Sequence, residues 1–184
     1  ILDIKDMIAK YHFKYDIDKM VLISGKKFKT DITEITNKDY NQCVLMGKCE
    51  IPHYDDNKCS IFDGKKWIKN NISNDFKEDN KPVVCIDFEQ AKKYFEWNGK
   101  RLPTEDEWIY AAKGGENYKY AGSDNIDEIA WNDANSNMKT HNVASKKANK
   151  YGLFDMSGNV WEWVDTFNNQ NNDKYYLTLG GGFL

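Results

Sequence analysis

The chain has 184 residues, a formal net charge of −3, and 30% charged residues. That length favours one domain with a core of its own, and 14% aromatic residues argue for a globular rather than a disordered chain. Lysines and acidic residues are interspersed without a basic stripe, which counts against nucleic acid as a partner. No apolar run approaches the roughly 18 residues needed to cross a bilayer as a helix.

The chain opens at Ile1 without a methionine, as expected of a mature or trimmed fragment. Ile1, Ile4, Met7 and Ile8 have helical spacing, which predicts an N-terminal helix or linker over residues 1–19 and the main domain over 20–184. Met20-Val21-Leu22-Ile23, the turn Ser24-Gly25-Lys26-Lys27 and Phe28-Lys29-Thr30 read as a hairpin. Thr36 can cap a helix with Asp39 as its reciprocal partner. Tyr40, Cys43 and Val44 then share a face, and Gly47 ends it. Residues 48–81 form a long polar insert, in which Phe62-Asp63-Gly64-Lys65-Lys66-Trp67 predicts a small hairpin.

Asp87 and Gln90 form a capping-box pair ahead of an apolar stripe of Phe88, Ala91, Tyr94 and Phe95. Thr104 and Glu107 repeat the signal for a helix that turns Trp108, Ala111 and Ala112 inward and stops at Gly114-Gly115. Arg101, Glu105 and Glu107 read as ion-pair and cap residues. Residues 116–150 are polar and loop-like, with His141 structural by default, and residues 165–174 are Asn-rich and loop-like. Tyr175-Tyr176-Leu177-Thr178-Leu179 is a strand, and Gly180-Gly181-Gly182 after it suits close backbone approach.

The four cysteines, Cys43, Cys49, Cys59 and Cys85, fit two disulfides with three pairings open. Free core thiols and a metal site are the competing readings. Zinc is disfavoured because no CxxC pair occurs and His12, His53 and His141 lie far apart in sequence.

One stretch stands out: Gly152-Leu153-Phe154-Asp155-Met156-Ser157-Gly158-Asn159-Val160-Trp161-Glu162-Trp163. Ser157-Gly158-Asn159 signals a turn and the segment after it a strand, with Trp161 and Trp163 on one face and Val160 and Glu162 on the other. On a plain structural reading the tryptophans are core, Asp155 caps the turn and Glu162 pairs with a lysine. On the other, Asp155 and Glu162 converge on a cation. Calcium takes six to eight oxygens, and a tight turn adds main-chain carbonyls to two carboxylates.

That stretch resembles the signature of the formylglycine-generating enzyme, or sulfatase-modifying factor, family. Gly99-Lys100-Arg101-Leu102-Pro103-Thr104-Glu105-Asp106-Glu107-Trp108-Ile109-Tyr110-Ala111-Ala112 resembles its other signature, in the same order and at a similar separation. Glu34-Ile35-Thr36-Asn37 stands where the family has Glu-x-Thr-Asn. The resemblance runs from about Met20 to Phe183. It implies an α+β, C-type-lectin-like fold: small twisted antiparallel sheets, two or three helices and much ordered loop. It also implies a calcium site formed by the side chains of Asp155 and Glu162 and the main-chain oxygens of Gly158 and Val160. A carboxylate at Asp155, where some members have an amide, favours a dication. The cysteines resemble those of exported bacterial members, which implies an oxidising compartment, periplasmic or at the cell surface.

The family's enzymes oxidise a sulfatase cysteine to formylglycine with copper and oxygen. The soft metal suits a cysteine pair, which in the family follows a Gly-Gly-Ser-Trp element resembled here by residues 180–183. No cysteine follows Cys85, so no catalytic residue is assigned, and the domain is expected to stop short of that element's sequel. Copper enters only if a cysteine pair lies beyond Leu184. Three functions follow. The first is an exported, calcium-stabilised, non-catalytic domain binding a protein or glycan. The second is a cysteine oxidase whose catalytic pair lies beyond Leu184. The third is a hypervariable ligand-binding protein of a diversity-generating system.

Overall fold

The computed structural model describes residues 19–62, 65–170 and 173–184, and the helix expected near the N-terminus lies outside them. Strands β1 (Met20–Leu22) and β2 (Lys29–Asp31) form the expected antiparallel hairpin. Ile23 at its turn is fully buried against Ala111 and Leu153. Helix α1 (Asn37–Leu45) starts where Thr36 Oγ1 accepts from the Asp39 backbone N–H at 3.1 Å and donates to the Asp39 carboxylate at 2.8 Å. Asn37 Nδ2 donates to the carbonyls of Phe76 and Lys81, which ties α1 to the far side of the insert.

The insert holds strands β3 (Ile61–Phe62) and β4 (Trp67–Ile68), with Phe62 opposite Trp67 as the Asp-Gly signal predicts. A short 3-10 turn follows at Asn74–Lys77. Two disulfides fasten the region, Cys43 to Cys49 and Cys59 to Cys85. The first closes the end of α1. The second joins the insert to the segment leading into helix α2 (Phe88–Trp97).

Helices α2 and α3 (Glu105–Lys113) each open with a complete capping box, Asp87 with Gln90 and Thr104 with Glu107. Arg101 grips Glu107 through two bonds of 2.7 Å, so the ion-pair and cap roles read for these residues hold. The other acid, Glu105, donates its backbone N–H to Thr166 Oγ1. Residues 116–150 are mostly turns, but a four-residue helix, α4 (Ile126–Ile129), interrupts them. It is too short to show a helical period in sequence. Its end buries Ile129 and Ala130 completely.

The stretch read as an Asn-rich loop after Trp163 is instead a ribbon. Strands β5 (Glu162–Gln170) and β6 (Asp173–Leu179) pair antiparallel, with Asn168 opposite Tyr175 and Asn169 opposite Lys174. Low strand propensity at asparagine is overridden by main-chain pairing between the two strands on both sides of a bulge. The register shifts between Trp163 and Phe167. In this bulge Val164 is fully buried against Trp108 and Ala112, and the Asp165 N–H leaves the ladder to meet the Pro103 carbonyl at 2.7 Å. The irregularity therefore docks β5 onto the start of α3. Small antiparallel sheets, three main helices and long hydrogen-bonded loops make this an α+β fold of the kind expected. Among the described residues no helix is long and apolar enough to cross a membrane.

Candidate functional site

The site is built on the turn that precedes β5. Upstream, the Phe154 N–H donates to the Ile32 carbonyl and Leu153 is buried beneath the β1–β2 hairpin. Asp155 lies in the left-handed region (φ 60°), and its carbonyl accepts the Gly158 N–H at 3.2 Å. Gly158 presses on the loop after α4: a Cβ there would sit 2.3 Å from the Trp131 carbonyl oxygen. The same oxygen accepts the Asn159 N–H at 2.8 Å. Asn159 is completely buried at φ 63°. Its Oδ1 accepts the His141 N–H, and its Nδ2 donates to the His141 carbonyl and to Glu34 Oε2 at 2.8 Å.

Three carboxylates face this turn. Asp155 is 1% exposed, its Oδ2 accepts the Ala144 N–H at 2.8 Å, and its buried Oδ1 meets no donor among the described residues. Glu162, at the first position of β5, accepts the Trp108 indole N–H at 2.9 Å. Glu34 Oε1 accepts the Val160 N–H at 3.1 Å while its other oxygen holds Asn159. Burial raises Asp155 to about 6. Glu162 rises to about 7, chiefly through burial and then through the charge of Asp155, against the lowering effect of the Trp108 bond. Burial also pushes Glu34 well above the ordinary range, with the charges of Asp155 and Glu162 adding to it.

The structure thus brings Asp155, Gly158, Val160 and Glu162 into one neighbourhood and adds two residues that sequence reasoning left without a role, Glu34 and Asn159. Glu34 stood in a recognisable element 121 positions upstream of Asp155 (155 − 34), and Asn159 read only as a turn residue. Among the described residues no lysine pairs with Glu162; its partner is an indole. Trp163 is held in the core region by Phe88 and by its indole bond to the Ile86 carbonyl, whereas Trp161 is 61% exposed. His141 stacks on Trp131 and bonds the Ser136 carbonyl, a structural position.

The donors fit a hard dication. Asp155 Oδ1 is orphaned in a buried place, where an unmet polar atom is costly. No described hydrogen bond ends on the carbonyl oxygens of Gly158 or Val160. Among the described residues no three His, Cys, Asp or Glu side chains gather to hold a metal, so a cation here would draw on two carboxylates and main-chain carbonyls. Beside the turn opens a cleft of about 1100 Å³ whose walls include Glu34, Trp67, Trp108, Trp161, Glu162 and Phe183. The C-terminal glycines approach these tryptophans closely: a Cβ on Gly182 would lie 3.1 Å from the Trp161 ring.

Residues 16–184 match the family model for the sulfatase-modifying factor enzyme 1-like domain. The chain belongs to the sulfatase-modifying factor family. The chaperone protein LppX of Paenibacillus barcinonensis is 31% identical over 223 aligned positions, covering 91% of this chain and 79% of LppX. The formylglycine-generating enzyme of Mycobacterium tuberculosis is 41% identical over 105 positions, which span 46% of this chain and 33% of the enzyme. The crystal structure of CarF superposes with a TM-score of 0.65 at 22% identity, covering 85% of this chain and 75% of CarF. That likeness gives the family fold. For copper the donors do not fit: all four cysteines are in disulfides and none is free, so no thiolate pair is present among them.

Proposed function

We propose that this domain is an exported, non-catalytic member of the sulfatase-modifying factor family, stabilised by calcium, that binds a protein or glycan partner at the periplasmic side or cell surface. The observation that carries the reading is the disulfide bonding of all four cysteines, which withdraws them from thiolate chemistry and suits an oxidising compartment. Calcium would be held by the Asp155 and Glu162 carboxylates and the Gly158 and Val160 carbonyls. It would supply charge neutralisation for two carboxylates, Asp155 buried and Glu162 half-buried, that have no cationic partner among the described residues. Trp67 and Trp161, 62% and 61% exposed, offer indole faces at the cleft for a sugar ring or an apolar side chain. The chaperone name of LppX agrees with a binding role.

The match to the mycobacterial enzyme favours a second reading, a formylglycine-generating oxidase whose thiol pair is not among these four cysteines. A sulfatase-type cysteine peptide incubated with the native protein, Cu(I) and oxygen separates the two. Unchanged peptide supports the binding role, and formylglycine overturns it. For the metal, chelator should lower the melting temperature, and Glu162→Ala should remove that sensitivity. A melting curve indifferent to chelator would refute the calcium site.

A further inference from the structure

We infer that Glu34 is a positioning residue for the cation site, a brace on the main chain that supplies the carbonyls and not itself a ligand. The inference rests on the calcium reading above. Glu34 is 8% exposed, and each of its carboxylate oxygens already has a donor: Oε1 the Val160 N–H at 3.1 Å, Oε2 the Asn159 amide at 2.8 Å. An acid whose two oxygens both face N–H donors has little left for a metal, and among the described residues no three acidic side chains gather to hold one. Asp155 is the opposite case, with one oxygen satisfied and the other bare.

The braced segment is the one that needs bracing. Asn159 lies between the two carbonyl donors, Gly158 and Val160, in a left-handed conformation (φ 63°) that few residues other than glycine adopt and that asparagine tolerates best when its side chain is held. Three contacts hold it there. The Asn159 N–H is fixed to the Trp131 carbonyl, its side chain to the His141 backbone, and the Glu34 carboxylate closes the remaining side by binding both the Asn159 amide and the next N–H. Glu34 comes from the segment between β2 and α1, so it ties the calcium turn to the opposite end of the chain. Groups that orient metal donors without touching the metal commonly govern affinity.

The test is terbium luminescence sensitised by tryptophan, since Trp108 bonds Glu162 directly, with calcium as competitor. Glu34→Gln keeps the shape but turns one acceptor into an amide donor facing other donors. It should weaken Tb³⁺ and Ca²⁺ binding by about 10- to 100-fold, the usual range for such supporting contacts, with both disulfides intact. Wild-type affinity in Glu34→Gln would overturn the brace and leave the calcium site standing. Absence of Tb³⁺ binding by the wild type would remove both. Should Glu34→Gln not fold, amide hydrogen exchange in the wild type decides: Ca²⁺ should slow the Val160 N–H further, and an exchange rate unmoved by bound Ca²⁺ would overturn the brace.

Discussion

The indole N–H of Trp108 meets Oε2 of Glu162 at 2.9 Å and joins the two signature blocks, 54 residues apart, at one hydrogen bond. Trp108 is 8% exposed and packs on Ala112 and Val164, so α3 brings its donor to the first residue of β5 through a partly buried contact. Trp108→Phe should remove the donor, leave a partly buried carboxylate oxygen unmet and open a small void. A loss of about 2 kcal/mol in urea unfolding is expected. A change below about 0.5 kcal/mol would mean that solvent replaces the indole at no cost.

Gly158 is fixed by contact and not by its own backbone conformation. A Cβ 2.3 Å from the Trp131 carbonyl oxygen, with Ala130 Cβ at 3.0 Å, cannot be absorbed by a flexible side chain, because the nearest atom is backbone. Gly158→Ala must push the turn away from the loop after α4 and stretch the Asn159–Trp131 bond. We expect a loss of about 2 kcal/mol or more, read as a fall in melting temperature. A neutral substitution would show that the two loops are not in firm contact.

Helix starts were legible because capping chemistry is local: Thr104 with Glu107 and Asp87 with Gln90 are four-residue patterns, and both boxes form. The disulfide pairing was not legible from the residues, since three pairings satisfy the count; the fold selects Cys43 with Cys49 and Cys59 with Cys85. The strands expected after the Ser157-Gly158-Asn159 turn and at residues 175–179 both form, but their continuation through 165–174 as one ribbon was missed, because Asn-rich composition hides a pairing that depends on two segments at once. The site shows the same division. Asp155 and Glu162 stand out within one short stretch, but Glu34 belongs to the site only through hydrogen bonds that span 125 and 126 positions. No periodicity or spacing rule reaches that far.

The pH dependence of the metal-free protein has two limbs. Asp155 and Glu162 are raised to about 6 and about 7, so the folded state binds their protons more tightly than the unfolded chain does. Their contribution is fully present below the unfolded carboxylate range near about 4 and is lost as pH climbs through 6 and 7. Glu107 behaves oppositely: the Arg101 bonds hold it at about 2, so its contribution is present above its unfolded value and lost as pH falls toward 2. Because Arg101 is largely exposed, that second limb is worth only about 1 kcal/mol. Melting temperature in chelator should therefore decline from pH 5 to pH 7.5, a span set by the first limb, and calcium should flatten that decline. A chelated protein whose stability rises across the same span would contradict the burial of these acids.

The two disulfides differ in the length of chain they close. Cys59 and Cys85 are 26 positions apart, Cys43 and Cys49 only 6. Loop-closure entropy gives about 3.5 kcal/mol for the longer bridge and about 2 kcal/mol for the shorter. The longer one also holds the insert against the segment that leads into α2, where the His53 N–H meets the Cys85 carbonyl and the His53 ring lies between Asp56 and Asp87. Replacing Cys59 and Cys85 together by serine should thus cost more stability than replacing Cys43 and Cys49, and should speed hydrogen exchange across residues 50–62 before the helices respond. Equal costs for the two double substitutions would show that strain in the folded state, and not freedom in the unfolded chain, sets the value of each bridge.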